Sequence, residues 1–270
     1  MTLKANTRMY NATPEVQRLW TDLVGHAARR AELDIQLIDH PPPEPIEALW
    51  GRGDLALVLM CGWPFWRRAP RPEPIAAPLL DAPGVGAVPV YWTDMIVRAD
   101  APARRLEDTF GGTLAWTLES SHSGYNAPRH LLLHYVGAHR APLYAHVVPN
   151  VVTPRGAIDA VLSGRADVAP LDGYYHLLLR RHVPDLASEL RVVAQTAMAP
   201  MPLFTASHGT DPARVARLRA AMEALHEMPA AAAVLDALSI RRFARIDLHD
   251  YALGDRWDAE ARAAGYPAPA

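Results

Sequence analysis

The chain lacks most of the signatures that would announce a particular chemistry. Its single cysteine, Cys61, excludes an internal disulfide and a cysteine-rich zinc site. Cys61 closes an apolar run over residues 54–60, where a thiol reads as a small buried hydrophobe rather than a nucleophile. No apolar stretch approaches the roughly 18 residues that a membrane-spanning helix requires, so no membrane insertion is expected. Residues 1–6 show no basic segment followed by an apolar one, and no signal peptide is predicted from them. On that reading the chain is cytoplasmic as it stands, or periplasmic if a leader was trimmed away.

Charge of one sign is missing too. The 27 Lys and Arg nearly balance the 29 Asp and Glu, for a net charge of −2, and no basic run interleaves with aromatics. A nucleic-acid partner is therefore excluded. Arginine heavily outnumbers lysine, and alanine and proline are abundant, a pattern of GC-rich coding that carries no functional meaning. There is no H-E-x-x-H, P-loop, dinucleotide fingerprint or G-x-S-x-G, so neither a metal nor a cofactor is expected. Of the 12 histidines, His26, His130, His134 and His139 read as helix-face or surface residues.

What is present is a globular α/β pattern. With 270 residues, half of them hydrophobic, the chain can form one large domain or two compact lobes. Residues 14–33 carry Val16, Leu19, Trp20, Leu23, Val24 and Ala27 at helical spacing, between extended segments at 2–10 and 34–39. A short helix over 44–50 leads to the apolar strand 54–60, suited to a sheet covered on both faces. This β-α-β-α-β series predicts a parallel sheet with right-handed crossovers. Residues 61–66 read as a loop after a strand end, the usual place for a ligand in open α/β sheets. Its Trp63, Phe65 and Trp66 are a pocket wall or a hydrophobic plug. Residues 67–83 are proline-rich and read as an irregular connection. A second alternating series begins near Thr113 and ends in a strand at 190–194. The chain then crosses back near 199–206, forms an amphipathic helix capped at Asp211, and ends in a helical, alanine-rich tail.

The stretch 118–126 organises the second series. The strand 112–117 runs into Ser120, Ser121, His122, Ser123 and Gly124, and a helix with Pro128 in its first turn follows. Free N–H groups, the helix dipole and the hydroxyls of Ser121 and Ser123 suit an anion. Alternatively, one serine merely caps the helix.

Several segments resemble the type 2 periplasmic binding proteins, in particular the phosphate/phosphonate branch of ABC-transporter solute receptors. Residues 106–115 are similar to an L-x-D-L-x-G-K-x-x-A lead-in, Ser121-His122-Ser123-Gly124-Tyr125 to S-T-S-G-Y, and residues 157–172 to an A-V-x-x-G-x-A-D-V-A segment. The resemblance implies a two-lobed α/β fold with a ligand cleft between the lobes, one lobe built from 1–92 with 206–270 and the other from 93–205. It implies that Ser121, Ser123 and the backbone of Gly124 hold anionic oxygens, with His122 and Tyr125 in the same turn. Tyr91 would add a hydroxyl from the crossing strand; apart from the resemblance, Trp63, by its residue type, and Tyr10 are further candidates for ligand binding. Asp172 would meet an ammonium group, or simply cap the helix that follows it.

Two departures stand out: His122 replaces the middle threonine, which links affinity to an imidazole of ordinary pKa about 6.5, and Arg155 stands near where the branch often has a histidine. Arg155 either binds an anion or faces solvent.

The implied function is a solute-binding protein that closes on a small phosphonate- or phosphate-like anion, its other partner the membrane component of an ABC transporter. An enzyme on the same fold, of the kind making menaquinone precursors or thiamine pyrimidine, is the alternative, and a ligand-responsive regulatory protein a third.

Overall fold

A computed structural model describes residues 2–137 and 142–270; His139 lies outside the described residues. The chain divides into two compact units, one of Met1–Val90 with Pro200–Tyr251 and one of Tyr91–Ala199 with Ala252–Ala270.

The first unit is built on a six-stranded sheet in the order Ile240–Ala244, Glu73–Leu80, Leu203–Ala206, Leu55–Met60, Leu3–Asn6, Ile35–Leu37. The last three strands pair in parallel, as the β-α-β-α-β reading expects. The other pairings are antiparallel, so the sheet is mixed rather than parallel. Every residue of Leu55–Met60 is buried, which explains its unbroken apolar run. The helix Pro14–Arg30 begins where the Thr13 hydroxyl accepts from Val16 N–H at 3.1 Å. It turns Val16, Trp20, Leu23, Val24 and Ala27 inward. Trp20 stacks on Tyr10 and meets Phe204 edge-on at 5.9 Å between ring centres.

Three expected elements differ here. Residues 61–66 are not a loop, because Gly62–Arg67 is a short helix. Gly62 is the residue that fits: a Cβ there would lie 2.7 Å from the Tyr251 ring. The proline-rich segment contains the strand Glu73–Leu80. Proline lacks a ladder donor, and the pairing with Leu203–Ala206 shifts register beside Pro74. The tail is not wholly helical, since Ile240–Ala244 is the sheet's edge strand.

The second unit carries an antiparallel sheet of Leu190–Gln195, Thr93–Arg98 and Ala169–Asp172. A parallel pair, Thr113–Ala115 with His146–Val148, joins it through a bridge from Leu114 to Val168. Helices Ala127–Val136, Pro154–Leu162 and Gly173–His182 surround a core that includes Met95, Val97, Leu114, Leu132 and Val168.

The assignment of 206–270 to a single lobe needs correction at its end, because residues 252–270 cluster with the second unit. The reason is polar as well as apolar. The helix Leu253–Ala263 buries Gly254, Trp257 and Ala261. Its Gly254 carbonyl and Asp258 carboxylate take hydrogen bonds from Asn126 and Arg129.

Candidate anion-binding turn

The strand Thr113–Ala115 ends just before Trp116 and Thr117, and the chain re-enters helix at His122. Residues His122–Asn126 form a π-helical turn that runs directly into Ala127–Val136. Single π-turns of this kind recur at functional sites. Here the wide turn is closed by Asn126 N–H donating to Ser121 O at 3.1 Å. The turn packs directly on Thr117, whose N–H donates to Gly124 O at 3.3 Å.

The two serines do different work. Ser121 is the cap: its Oγ accepts from Gly124 N–H at 2.9 Å, which satisfies one of the orphan donors at a helix start. The Ser123 carbonyl accepts from Thr93 Oγ1 at 3.0 Å. The Ser123 residue is 9% exposed, and its hydroxyl has no hydrogen-bond partner among the described residues. The capping reading of the turn is thus realised by Ser121.

His122 is buried, and its ring stacks on Trp257 with centres 5.3 Å apart and planes 17° apart. Burial, with a smaller contribution from nearby His130, pushes its pKa down to about 4. The imidazole is therefore neutral at pH 7. Tyr91, also buried, lies 6.3 Å from His122 between ring centres. Tyr125 stands edge-on to Trp116 at 5.0 Å. Its hydroxyl donates to Pro267 O at 3.1 Å, and burial pushes its pKa up.

Beneath the turn lies a set of polar residues that sequence reading missed. Asn126 is fully buried and donates through Nδ2 to Gly254 O at 2.8 Å. Arg129, 1% exposed, donates to Asn126 Oδ1 at 2.8 Å and to Pro267 O at 2.7 Å, and pairs with Asp258. The available signal was an arginine just before Leu131-Leu132-Leu133 in an apolar helix. Nothing local names Asp258 as its partner, 129 positions away.

Asp172 is the N-cap of Gly173–His182, accepting from Tyr174 N–H at 3.0 Å and Tyr175 N–H at 3.1 Å. Behind it, Asp94 accepts from Trp92 Nε1 at 2.8 Å and Gln195 Nε2 at 2.7 Å, and lies 2.6 Å from His176 Nδ1. Burial alone would raise the Asp94 pKa, but hydrogen bonds from His176, Gln195 and Trp92 outweigh it and hold the carboxyl below its ordinary value. Trp92 presses on the Asp172–Gly173 turn so closely that a Cβ at Gly173 would lie 2.6 Å from its ring.

The remaining expected residues lie elsewhere. Tyr10 and Trp63 belong to the first unit. Tyr10 is stacked in the core on Trp20, and Trp63 is buried on the Gly62–Arg67 helix with the Arg67 guanidinium 5.1 Å above its ring. Arg155 is exposed and pairs with Asp159 at 2.8 Å, so it takes the solvent-facing reading. Among the described residues no group of three or more His, Cys, Asp or Glu has a metal-site arrangement.

A two-unit α/β chain with a hydroxyl-bearing turn opening a buried helix has the build of a type 2 solute-binding protein. Residues 11–251 match the family described as "ABC transporter, phosphonate, periplasmic substrate-binding protein". The chain belongs to that family. Among solved structures it resembles a binding protein component of an ABC phosphonate transporter from Pseudomonas aeruginosa. The TM-score is 0.80 at 14% identity, over 98% of this chain and 88% of that one. It resembles PhnD1 of Prochlorococcus marinus, solved with methylphosphonate, with a TM-score of 0.79 at 15% identity over 97% and 98% of the two chains. A Xanthomonas citri protein solved with ATP shares 20% identity over 98% of both chains, with a TM-score of 0.67. No curated protein sequence matches it significantly. Among the described residues no helix is long and apolar enough to cross a membrane.

Proposed function

We propose that this chain captures a small phosphonate- or phosphate-type anion at the turn opened by Ser121, and delivers it to the membrane component of an ABC transporter. The observation that carries this reading is the division of labour between the serines. Ser121 already serves the backbone, while the Ser123 hydroxyl sits in a buried residue with no partner among the described residues. A hydroxyl that serves no intrachain acceptor is available to donate to a ligand oxygen. At a helix start, beside further N–H donors and the positive end of the dipole, an anionic oxygen is the group that fits. Tyr91 and the neutral imidazole of His122 stand next to the turn and complete its polar lining. The methylphosphonate bound to the Prochlorococcus marinus protein supports the choice of ligand class, and the family's compartment supports a periplasmic site of action.

Isothermal titration with methylphosphonate and inorganic phosphate tests the reading. Ser123→Ala should weaken binding by about 1.5–3 kcal/mol, the worth of one charge-assisted hydrogen bond. Equal affinity in wild type and Ser123→Ala would remove the turn from the binding site.

A further inference from the structure

We propose that Trp257 is a positioning residue for the anion-binding turn: stacked with both His122 and His130, it holds the His122 ring in one orientation and shields it from water. The proposal rests on the binding function proposed for the turn. Trp257 lies beyond the residues 11–251 that match the family.

The three rings form a nearly parallel stack. His130 lies 4.6 Å from the Trp257 ring centre with planes 8° apart, and His122 lies 5.3 Å from it with planes 17° apart. Both His122 and Trp257 are buried. The outer histidine is tied to the same helix as the tryptophan, because His130 Nε2 lies 2.6 Å from Glu260 Oε2. The helix carrying Trp257 is in turn fixed to the residues that follow His122. Asn126 bonds Gly254, Arg129 pairs with Asp258, and Pro267 accepts from both Tyr125 and Arg129. The segment 252–270 thus grips the helix that opens at the turn, and the indole is its contact with His122.

This matters because a histidine in the middle of an anion site has two freedoms that threonine lacks. It can rotate its ring, and it can take up a proton near pH 6.5 when solvated. Stacking removes the first freedom and desolvation the second. Groups near His122 include the Tyr91 ring, the Asn126 amide and, on the same indole, His130 with Glu260. Behind Asn126 the Arg129 and Asp258 charges are paired with each other.

Binding of methylphosphonate is measured from pH 5.5 to 8 for wild type, Trp257→Leu, Trp257→Phe, His122→Asn and the His122→Asn/Trp257→Leu double variant. Each variant is expressed as a ratio to its parent, so that titration of the ligand cancels. At pH 8 Trp257→Leu should weaken binding about tenfold. The ratio should then move back toward one as pH falls through about 6.5, because the freed imidazole becomes cationic beside the anion. Trp257→Phe should restore most of the affinity and abolish the step. In the His122→Asn background Trp257→Leu should have little effect and no pH step. A Trp257→Leu protein that binds as wild type at every pH overturns the proposal. So does one weakened equally in both backgrounds, which would make Trp257 a purely structural residue. If wild type binds neither methylphosphonate nor phosphate, the binding function fails on its own. The positioning role is then read from the His122 Cε1–H resonance, which must titrate near pH 6.5 in Trp257→Leu and well below that in wild type. An unchanged titration overturns it.

Discussion

Gly124 and Thr117 touch so closely that a Cβ on the glycine would stand 1.8 Å from the threonine hydroxyl oxygen. The helix start is thereby seated on the end of the strand segment before it. That contact sets the height of the turn above the sheet, and it admits no side chain at position 124.

Gly124→Ala should therefore destabilise the protein by about 1–3 kcal/mol through overpacking. Adding Thr117→Ala removes the hydroxyl that clashes and should recover part of the loss, since the Thr117 Cβ would still lie 2.9 Å away. Denaturant unfolding of the two single variants and the double variant checks this. Simple addition of the two single effects would show that the contact does not limit the turn.

Ser121→Ala should act on stability where Ser123→Ala acts on affinity. Loss of the Ser121 cap to Gly124 N–H should cost about 1 kcal/mol of unfolding free energy. Ser123→Ala removes no intrachain side-chain bond among the described residues and should leave stability within about 0.5 kcal/mol of wild type. Thermal melts of the ligand-free proteins separate the two. The opposite ranking would reverse the roles of the serines.

Acid should destabilise the protein in two windows. The His122 pKa, about 4 when folded, lies below its unfolded value near 6.5. Between those values the unfolded chain takes a proton that the native state refuses, so stability falls as pH drops, by about 3 kcal/mol in all. His122→Asn should flatten the profile between pH 6.5 and 4. Asp94, held below its ordinary carboxyl range, contributes stability above about pH 4 that is lost as pH falls through its folded value. That second loss should persist in His122→Asn. Urea midpoints at half-unit pH intervals give both slopes, and an unchanged slope above pH 4 in His122→Asn would mean His122 is not the group refusing the proton.

Much of the local structure was legible. The helix at Pro14–Arg30 and the strand at Leu55–Met60 follow from apolar spacing and an unbroken apolar run, which are properties of neighbouring residues. The turn at Ser121–Gly124 was legible as an anion site or a cap because hydroxyls and glycine before a helix offer only those uses. The strands Glu73–Leu80 and Ile240–Ala244 were not. They pair with each other from opposite parts of the chain, and their local signals, prolines in one and an alanine-rich approach to the other, point away from strand. Tertiary pairing overrode propensity there.

The helix at Pro14–Arg30, the strand at Leu55–Met60 and the chemical character of the turn could be read from the chain, because each depends on residues within one or two helical turns of one another. The three-dimensional fold alone shows that Thr93 holds the Ser123 carbonyl, that His122 is neutral, and that residues 252–270 belong with the second unit. Those outcomes rest on Thr93 bonding Ser123 O, on Trp257 covering His122, and on Asp258 answering Arg129. The partners lie 30 to 135 positions apart, where hydrophobic period and capping rules have no reach, and burial is the main cause of the imidazole's lowered pKa.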